Sequence, residues 1–275
     1  MSTLPKITVV TPSYNQSAYL EATLRSVLDQ GYPNLEYIVM DGGSTDGSEE
    51  IIKKFADRLA YWESGRDEGH ADAVNRGFAR SSGEILAFVN SDDLLLPGAL
   101  GKVGRWFCSH PEEEWLVGGT VNIGPDGRPV RGRRIKAVCC SLSGRITFAS
   151  LLYFGCGFSQ PASFWRREAF FAVGGLDTSC RFSFDYDFFL KLASRRPSGH
   201  INDYLACFRC HPAAKTSTLQ DVRRADDERL FRKYGRYHKS AIDRKVLYVQ
   251  YALRCGARRQ YSRLLHYLHL KRCPV

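Results

Sequence analysis

The sequence predicts an α/β fold in which a mostly parallel central sheet is flanked by helices and followed by a C-terminal helical segment. Over the first hundred residues, short β-branched runs alternate with segments whose apolar residues recur at helical spacing. The run at residues 84–89 is nearly all apolar, as in a strand that is buried on both faces. From residue 220 onward the pattern is typical of two or three basic, amphipathic helices. Strands that alternate with helices favour a parallel sheet covered on both sides.

The elements of the first hundred residues follow one another in a regular order, and the pattern becomes looser after residue 100. Residues 46–49, Asp-Gly-Ser-Glu, resemble a capping box that opens the second helix. The predicted strands are residues 6–11, 35–40, 59–62, 84–89, 115–119 and 204–209, and the predicted helices are residues 16–30, 46–55, 71–78, 164–173 and 185–195.

The composition limits the kind of protein. The chain has 275 residues, of which 44% are hydrophobic and 25% are charged, enough for one large domain with an appended segment. We find neither a signal peptide nor the roughly 20 apolar residues of a spanning helix, so we expect a cytoplasmic protein. The net charge of +10 favours anionic partners such as nucleotides or a lipid surface. Nucleic acid is not expected, because no nucleic-acid-binding motif accompanies the charge.

Three polar clusters each follow a predicted strand. They are Thr-Pro-Ser-Tyr-Asn at residues 11–15, Asp-Gly-Gly-Ser-Thr-Asp-Gly at residues 41–47, and Asn-Ser-Asp-Asp at residues 90–93. In an open α/β sheet, ligands bind outside the carboxyl ends of the strands. Gly42 and Gly43 let the backbone approach a ligand closely. We therefore expect the three clusters to form one crevice.

The Asn90–Asp93 turn is a candidate metal site. A buried strand ends in two adjacent carboxylates, which repel each other unless a cation lies between them. Mg²⁺ or Mn²⁺ suits such a site, because these ions bind one or two carboxylates together with substrate phosphates. The alternative is a solvated turn that caps the helix after Pro97.

Together the motifs resemble those of family 2 glycosyltransferases, which have the GT-A fold. The similarity is strongest over residues 7–96 and continues more weakly over about the first three quarters of the chain. The strong motifs are TVVTPSYN at 8–15, DGGSTDG at 41–47, DEGHADAVNRG at 67–77 and NSDD at 90–93. The weaker motifs are QPASFW at 160–165, GGLD at 174–177, DYD at 185–187 and a histidine at 211.

The resemblance implies a division of the site. Asp92 would be the main ligand of a divalent Mn²⁺ or Mg²⁺ cofactor, with Asp93 beside it. His211 would reach the metal or the diphosphate, although an ordinary loop histidine is the alternative. The sequence departs from the family at Asn90, an amide that can hydrogen-bond a ribose but brings no charge. The implied donor-binding residues are Thr11, Pro12, Tyr14, Asn15, Asp41, Gly43, Asp72, Asn75, Asn90 and Ser91.

Two carboxylates in one predicted helix are candidates for the general base. The segment at residues 182–192 is apolar almost all round, which predicts a buried helix, yet it contains Asp185 and Asp187. Burial raises a carboxyl pKa toward the range that is useful for a general base. The resemblance places the base at Asp185. Asp187 is the second candidate, and a salt bridge to Lys191 one turn later is its structural alternative.

The resemblance implies transfer of a sugar from a nucleotide-diphosphate sugar to an acceptor hydroxyl, with inversion. The acceptor would be a polysaccharide, a lipid-linked glycan or another glycan, as in the synthesis of cell-envelope polysaccharides. Two other functions stay open at this stage. A nucleotidyltransferase would also place carboxylates and a metal at the edge of the sheet. A non-catalytic relative would bind the nucleotide sugar without turning it over.

We divide the chain into a GT-A domain at residues 1–215 and a basic helical segment at residues 216–275. The donor half of the domain is about residues 1–100, and the acceptor half is about residues 101–215. The basic run at residues 131–136 is a solvated face or a site for a phosphorylated acceptor. The C-terminal helices either pack on the domain or lie peripherally on an anionic membrane at its inner face.

Overall fold

The computed structural model describes residues 4–130 and 145–235, in which helices flank an eight-stranded sheet. The strands are β1 (Ile7–Ser13), β2 (Leu35–Asp41), β3 (Tyr61–Ser64), β4 (Ile85–Phe88), β5 (Leu94–Leu95), β6 (Trp115–Ile123), β7 (Ser163–Arg166) and β8 (Gly199–Arg209). The helices are α1 (Ser17–Leu28), α2 (Ser48–Lys53), α3 (His70–Arg80), α4 (Ala99–Ser109), α5 (Phe148–Phe154), α6 (Arg167–Ala172), α7 (Phe184–Arg195), α8 (Lys215–Thr218) and α9 (Gln220–Lys233).

The sheet has the strand order β3-β2-β1-β4-β7-β6-β8-β5. The four strands of the N-terminal half pair in parallel, and Ile7 of β1 lies opposite both Leu35 of β2 and Ile85 of β4. Strand β7 is antiparallel to both of its neighbours, whereas β6 and β8 are parallel. The predicted α/β fold with a mostly parallel sheet is confirmed, and the carboxyl ends of β1, β2 and β4 lie at one edge.

The core lies on both faces of the sheet, as the continuous apolar strands predict. Ile7 and Val9 of β1 pack on one face against α1, α2 and α4, while Val10 faces α3 on the other. Helix α7 belongs to the second face, where Phe188 and Phe189 are completely buried. The expectation of a buried helix around Asp185 and Asp187 is therefore confirmed.

Two local predictions are wrong. The segment predicted as a helix at residues 164–173 begins as strand β7, because Phe164 and Trp165 pair with β6 and lie in the core; the helix starts only at Arg167. Asp46 does not cap α2, whose N-cap position is Gly47 with φ of 93°. Instead, the Asp46 carboxylate accepts hydrogen bonds from the backbone N–H groups of Ser17 (2.8 Å) and Ser48 (3.1 Å). It thereby joins the starts of α1 and α2.

Helix α9 packs on the domain, so the folded part of the chain continues beyond residue 215. Leu230 is buried in the core, and Asp226 Oδ2 accepts a hydrogen bond from the backbone N–H of Phe182 at 2.7 Å. The basic run at residues 131–136 and the basic helices predicted beyond residue 235 lie outside the described residues. No helix within residues 4–130 and 145–235 is long and apolar enough to cross a membrane.

Candidate active site

The loops after β1 and β2 hold each other at the sheet edge. Asn15 adopts a left-handed conformation with φ of 50°, and its Oδ1 accepts a hydrogen bond from Thr45 N at 2.9 Å. Asn15 N in turn donates to Ser44 Oγ at 2.8 Å. Gly42 N donates to Ser13 O at 2.8 Å. The first two predicted clusters therefore lie together, as the parallel register requires.

Two predicted donor contacts in these loops point inward. Asp41 is only 2% exposed, and its carboxylate accepts hydrogen bonds from Ser44 N (2.9 Å), Ser44 Oγ (2.6 Å) and Ser64 Oγ (2.7 Å). Gly43 N adds a longer contact at 3.2 Å. The Thr11 hydroxyl is likewise buried, 2.8 Å from the Tyr37 hydroxyl. These side chains shape the loop, whereas Tyr14 is 63% exposed and available to a ligand.

Gly42 lies between Tyr14 and Asp67, a residue that sequence reasoning did not single out. A Cβ atom at position 42 would lie 2.9 Å from Asp67 Oδ2 and 3.3 Å from Tyr14 Cδ2. Three loops therefore meet around this glycine, and the missing side chain keeps the ring of Tyr14 and the carboxylate of Asp67 in place. The Asp67 motif was visible in the sequence, but only the fold brings it to Gly42.

We expect Gly42→Ala to weaken nucleoside diphosphate binding about 5- to 10-fold. The added methyl group displaces Tyr14 or Asp67, and this corresponds to the lower end of the roughly 1–3 kcal/mol cost of overpacking. Isothermal titration calorimetry measures the loss. Gly65→Ala is the matched control, because a Cβ atom there meets nothing within 4 Å. Equal affinities of Gly42→Ala and the wild-type protein would show that this surface does not contact the nucleotide.

The Asn90–Asp93 turn is anchored to helix α1 by a buried hydroxyl group. Thr23 is completely buried, and its hydroxyl lies 2.9 Å from the carbonyl oxygen of Ser91 and 2.8 Å from that of Asp93. Asn90 Nδ2 donates to Asp93 Oδ2 at 3.2 Å, and Asp93 N donates to Asn90 O at 3.0 Å. The turn is therefore fixed on both sides, and nothing in the sequence marks Thr23 for this function.

Thr23→Val should lower the free energy of unfolding by about 1–3 kcal/mol. The substitution keeps the shape of the side chain but leaves two buried carbonyl oxygens without their hydroxyl partner. Urea denaturation measures the change, and Thr216→Val on the exposed surface is the control. An unchanged midpoint for Thr23→Val would mean that the turn does not depend on this anchor.

Arg209 turns Asp93 inward. The backbone N–H of Arg209 donates to Asp93 Oδ1 at 2.9 Å, and its Nε donates to Asp92 O at 2.8 Å. The guanidinium group lies 4.8 Å from the ring centroid of Tyr19. Burial and then the charge of Asp92 raise the pKa of Asp93 well above its usual range. With both carboxylate oxygens engaged, Asp93 supports the turn, and Asp92 is the more exposed of the two carboxylates.

Asp92 and His211 meet across the crevice. His211 Nε2 lies 3.0 Å from Asp92 Oδ2, although the two residues are 119 positions apart. The side chain of His211 is 2% exposed and packs on the ring of Tyr19, with 4.7 Å between ring centroids. Asp92 is more open, at 18%. The sequence prediction that these residues lie at one site agrees with this geometry.

The Asp92–His211 pair fits a divalent cation that takes its other ligands from elsewhere. A carboxylate oxygen and an imidazole nitrogen converge here. Within residues 4–130 and 145–235, no group of three or more His, Cys, Asp or Glu side chains could hold a metal ion. Mn²⁺ and Mg²⁺ tolerate this arrangement, because they commonly bind one or two protein groups together with phosphate oxygens and water.

Asp185 and Asp187 lie in different environments. Asp185 is half-buried in the first turn of α7, and burial raises its pKa to about 6. Its Oδ1 accepts a hydrogen bond from Tyr186 N at 2.8 Å. Asp187 is completely buried, and its oxygens lie 2.8 Å from Lys191 Nζ and 2.9 Å from Lys233 Nζ. The predicted pair with Lys191 is present, and Asp187 ties α9 to the domain.

Two predicted donor residues on α3 contact protein groups. Asn75 exchanges two hydrogen bonds with the backbone of Leu176, its Nδ2 donating at 2.9 Å and its Oδ1 accepting at 3.0 Å. Asp72 accepts from Glu68 N at 3.2 Å and lies 3.8 Å from Arg76 Nη1. Asn75 thus fastens the Gly-Gly-Leu-Asp loop to α3, which the sequence could not reveal across about a hundred residues.

A family model and several curated proteins match this chain. The model of glycosyl transferase family 2 matches residues 8–171. The putative teichuronic acid biosynthesis glycosyltransferase TuaG of Bacillus subtilis is 39% identical over 92 residues, which cover 32% of this chain and 36% of TuaG. The uncharacterized glycosyltransferase Rv1514c of Mycobacterium tuberculosis is 39% identical over 197 residues, covering 70% of this chain and 71% of that protein. The chain spans well under half the length of TuaG.

Solved structures share the fold. S. aureus TarS 1-349 in complex with UDP-GlcNAc superimposes with a TM-score of 0.62 at 19% identity, over 78% of this chain and 61% of the TarS chain. The mannosyltransferase PcManGT from Pyrobaculum calidifontis, in complex with GDP-Man and Mn²⁺, has a TM-score of 0.61 at 22% identity, over 82% of this chain and 62% of that chain. The matched model covers more than half of the sequence, and this chain belongs to glycosyl transferase family 2.

Proposed function

We propose that this protein transfers a sugar from a nucleoside-diphosphate sugar to an acceptor hydroxyl, with inversion at the anomeric carbon. The observation that carries the proposal is the meeting of Asp92 and His211 at the sheet edge. Lys215 begins α8, four residues after His211; burial lowers the pKa of its ammonium group, and the charges of Asp67 and Asp92 oppose that effect. Once a cation is bound by Asp92 and His211, that cation and the Lys215 ammonium group would together form a positively charged binding site for a diphosphate.

The nucleoside would occupy the loops after β1 and β2. Tyr14 offers an exposed ring there, and Asp67 lies beside it across Gly42. Aromatic faces and carboxylates suit bases and ribose hydroxyls, respectively. The buried Asp41 and the loop-bridging Asn15 would keep these loops in the binding conformation and act through them.

Asp92 and His211 would hold the metal, which supplies positive charge to the departing diphosphate. Lys215 would add a second positive charge from the opposite side of the phosphates. Asn90, Thr23 and Arg209 would keep the Asp92 turn rigid, so that little reorganisation is needed as charge develops on the leaving group.

Asp185 would act as the general base. Its carboxylate takes the proton of the acceptor hydroxyl, and the acceptor oxygen forms a bond to the anomeric carbon. The bond from that carbon to the diphosphate oxygen breaks, and the electron pair leaves with the nucleoside diphosphate. Attack from the face opposite the leaving group inverts the anomeric centre. A pKa of about 6 leaves Asp185 ionised at neutral pH while it stays basic enough to accept a proton.

The relatives support the choice of donors and acceptors to test. TarS was solved with UDP-GlcNAc and PcManGT with GDP-Man and Mn²⁺. The name of TuaG refers to teichuronic acid biosynthesis. We therefore include a cell-envelope glycan acceptor in the proposal, and a peripheral position at an anionic membrane, where such acceptors are assembled.

Calorimetric titration of UDP, GDP, dTDP and CDP, each with and without Mn²⁺, tests the proposal. We expect one diphosphate to bind in a metal-dependent way, and the matching nucleotide sugar to release that diphosphate slowly in water. Failure of all four diphosphates to bind under both conditions would overturn the proposed donor site.

A further inference from the structure

His70 connects three parts of the proposed site. It is the first residue of α3, and its ring lies 4.8 Å from the ring of Phe184 and 6.0 Å from that of Phe88, centroid to centroid. Phe184 precedes the candidate base, and Phe88 ends the strand that leads to the metal turn. His70 Nδ1 also lies 3.2 Å from Lys215 Nζ. The imidazole therefore stands between the base helix, the metal turn and the cation of α8.

The hydrogen bond between His70 and Lys215 fixes the tautomer of the imidazole. An ammonium group has three donors and no acceptor, so Nδ1 of His70 must accept the hydrogen bond from Lys215. The ring proton is then on Nε2. This nitrogen is buried and makes no conventional hydrogen bond with the described residues, and Asn90 Oδ1 has the same status. Burial lowers the pKa of His70 to about 3, which keeps the ring neutral and its Nδ1 able to accept a hydrogen bond.

Lys215 needs such support. Burial lowers the pKa of its ammonium group, and the charges of Asp67 and Asp92 oppose that effect. A flexible four-carbon side chain at such a place has many conformations, and the hydrogen bond to His70 selects one of them. The selected conformation places the ammonium group at His70, where the charges of Asp67 and Asp92 act on it.

We infer that His70 is a positioning residue, which receives the Lys215 ammonium group on Nδ1 and thereby presents Lys215 to the β-phosphate of the donor. The inference rests on the proposed function, since the diphosphate is its ligand. It assigns His70 an indirect effect: the imidazole acts through Lys215 and does not contact the phosphates.

A double-mutant cycle tests the inference, with the one of UDP, GDP, dTDP and CDP that binds the wild-type protein, in the presence of Mn²⁺, as the probe. His70→Phe keeps the ring contacts with Phe88 and Phe184 but removes the acceptor, and we expect about tenfold weaker diphosphate binding, as for loss of a hydrogen bond to a charged group. His70→Asn restores an acceptor near the position of Nδ1 and should recover most of the affinity. In a Lys215→Ala background, His70→Phe should change the affinity by less than about twofold.

The outcomes separate the inference from the proposed function. If the wild-type protein binds none of UDP, GDP, dTDP and CDP, with or without Mn²⁺, both the proposed function and the inference are overturned. Wild-type binding with additive losses from His70→Phe and Lys215→Ala overturns only the inference, because His70 then contacts the ligand by itself. A ligand-free readout comes from ¹⁵N NMR of the histidines. The Nε2–H tautomer of His70 supports the inference, and the Nδ1–H tautomer contradicts it.

Discussion

Asp185→Asn is expected to lower kcat by about 10²- to 10⁴-fold, the usual contribution of a general base. The amide keeps the size and the polar contacts of the side chain but cannot accept a proton. Nucleoside diphosphate affinity should stay within about twofold of the wild-type value, since Asp185 is placed on the acceptor side of the anomeric carbon. Steady-state kinetics with a nucleotide sugar and calorimetry with the diphosphate measure the two effects separately.

The pH dependence provides a second signature of Asp185. Burial raises its pKa to about 6, from about 3.9 in an unfolded chain. Only the carboxylate is a base, so kcat/KM should rise as the pH increases through about 6 and then level off. The protonated Asp185 carboxyl contributes to the free energy of unfolding; this contribution is fully present below about pH 4 and is lost as the pH rises through about 6. Asp185→Asn should therefore be at least as stable as the wild-type protein at pH 8.

Asp187→Asn is the contrasting variant. Burial favours the neutral acid, but the hydrogen bonds from Lys191, Lys233 and Tyr234 outweigh it, and the pKa of Asp187 is lowered. Replacing it leaves the partly exposed ammonium groups of Lys191 and Lys233 without their carboxylate partner, which we expect to cost about 1–3 kcal/mol. We expect a fold defect in Asp187→Asn and a chemical defect in Asp185→Asn. If Asp187→Asn is stable but has no turnover, and Asp185→Asn has normal activity, then Asp187 is the general base and Asp185 has only a structural function.

The N-terminal half of the sheet was predictable because its signals are local. β1, β2 and β4 are short apolar runs followed by polar clusters, and parallel pairing places those clusters at one edge. Strand β7 was missed because Phe164 and Trp165 have the same apolar character as the helix that follows, and only pairing with β4 and β6 makes them a strand. Periodicity cannot distinguish such a short run from the first turn of a buried helix.

The sequence allowed us to name candidate site residues, but it did not allow us to predict which groups they contact. Asp92 and His211 were both predicted as site residues, but their separation of 119 positions hides their 3.0 Å contact from any local pattern. The orientation of the Asp93 carboxylate depends on a hydrogen bond from the backbone of Arg209. The Asp41 carboxylate is already hydrogen-bonded by the hydroxyl groups of Ser44 and Ser64. Sequence motifs therefore identified the crevice, and long-range hydrogen bonds decide which carboxylates face it.

Asp92→Asn is expected to remove the metal-dependent part of diphosphate binding. Loss of an outer-shell partner of a metal ligand already costs about 10- to 100-fold in metal affinity, so loss of the ligand itself should cost at least about 100-fold. The asparagine still accepts a hydrogen bond from His211, which keeps the crevice intact. Calorimetry with and without Mn²⁺ and electron paramagnetic resonance of bound Mn²⁺ follow the metal without any need for turnover.

Mn²⁺ and the diphosphate should bind wild-type protein as a unit. Asp92 and His211 offer one oxygen and one nitrogen, too few to hold an ion tightly by themselves. Mn²⁺ alone should therefore bind weakly, and its affinity should increase when the nucleoside diphosphate is added, by the same factor by which Mn²⁺ strengthens nucleotide binding. Asp93→Asn is the control, because its inward oxygens predict lower stability with the metal–nucleotide coupling retained. If Asp93→Asn abolishes the coupling and Asp92→Asn does not, Asp93 is the metal ligand and the turn must reorganise when the donor binds.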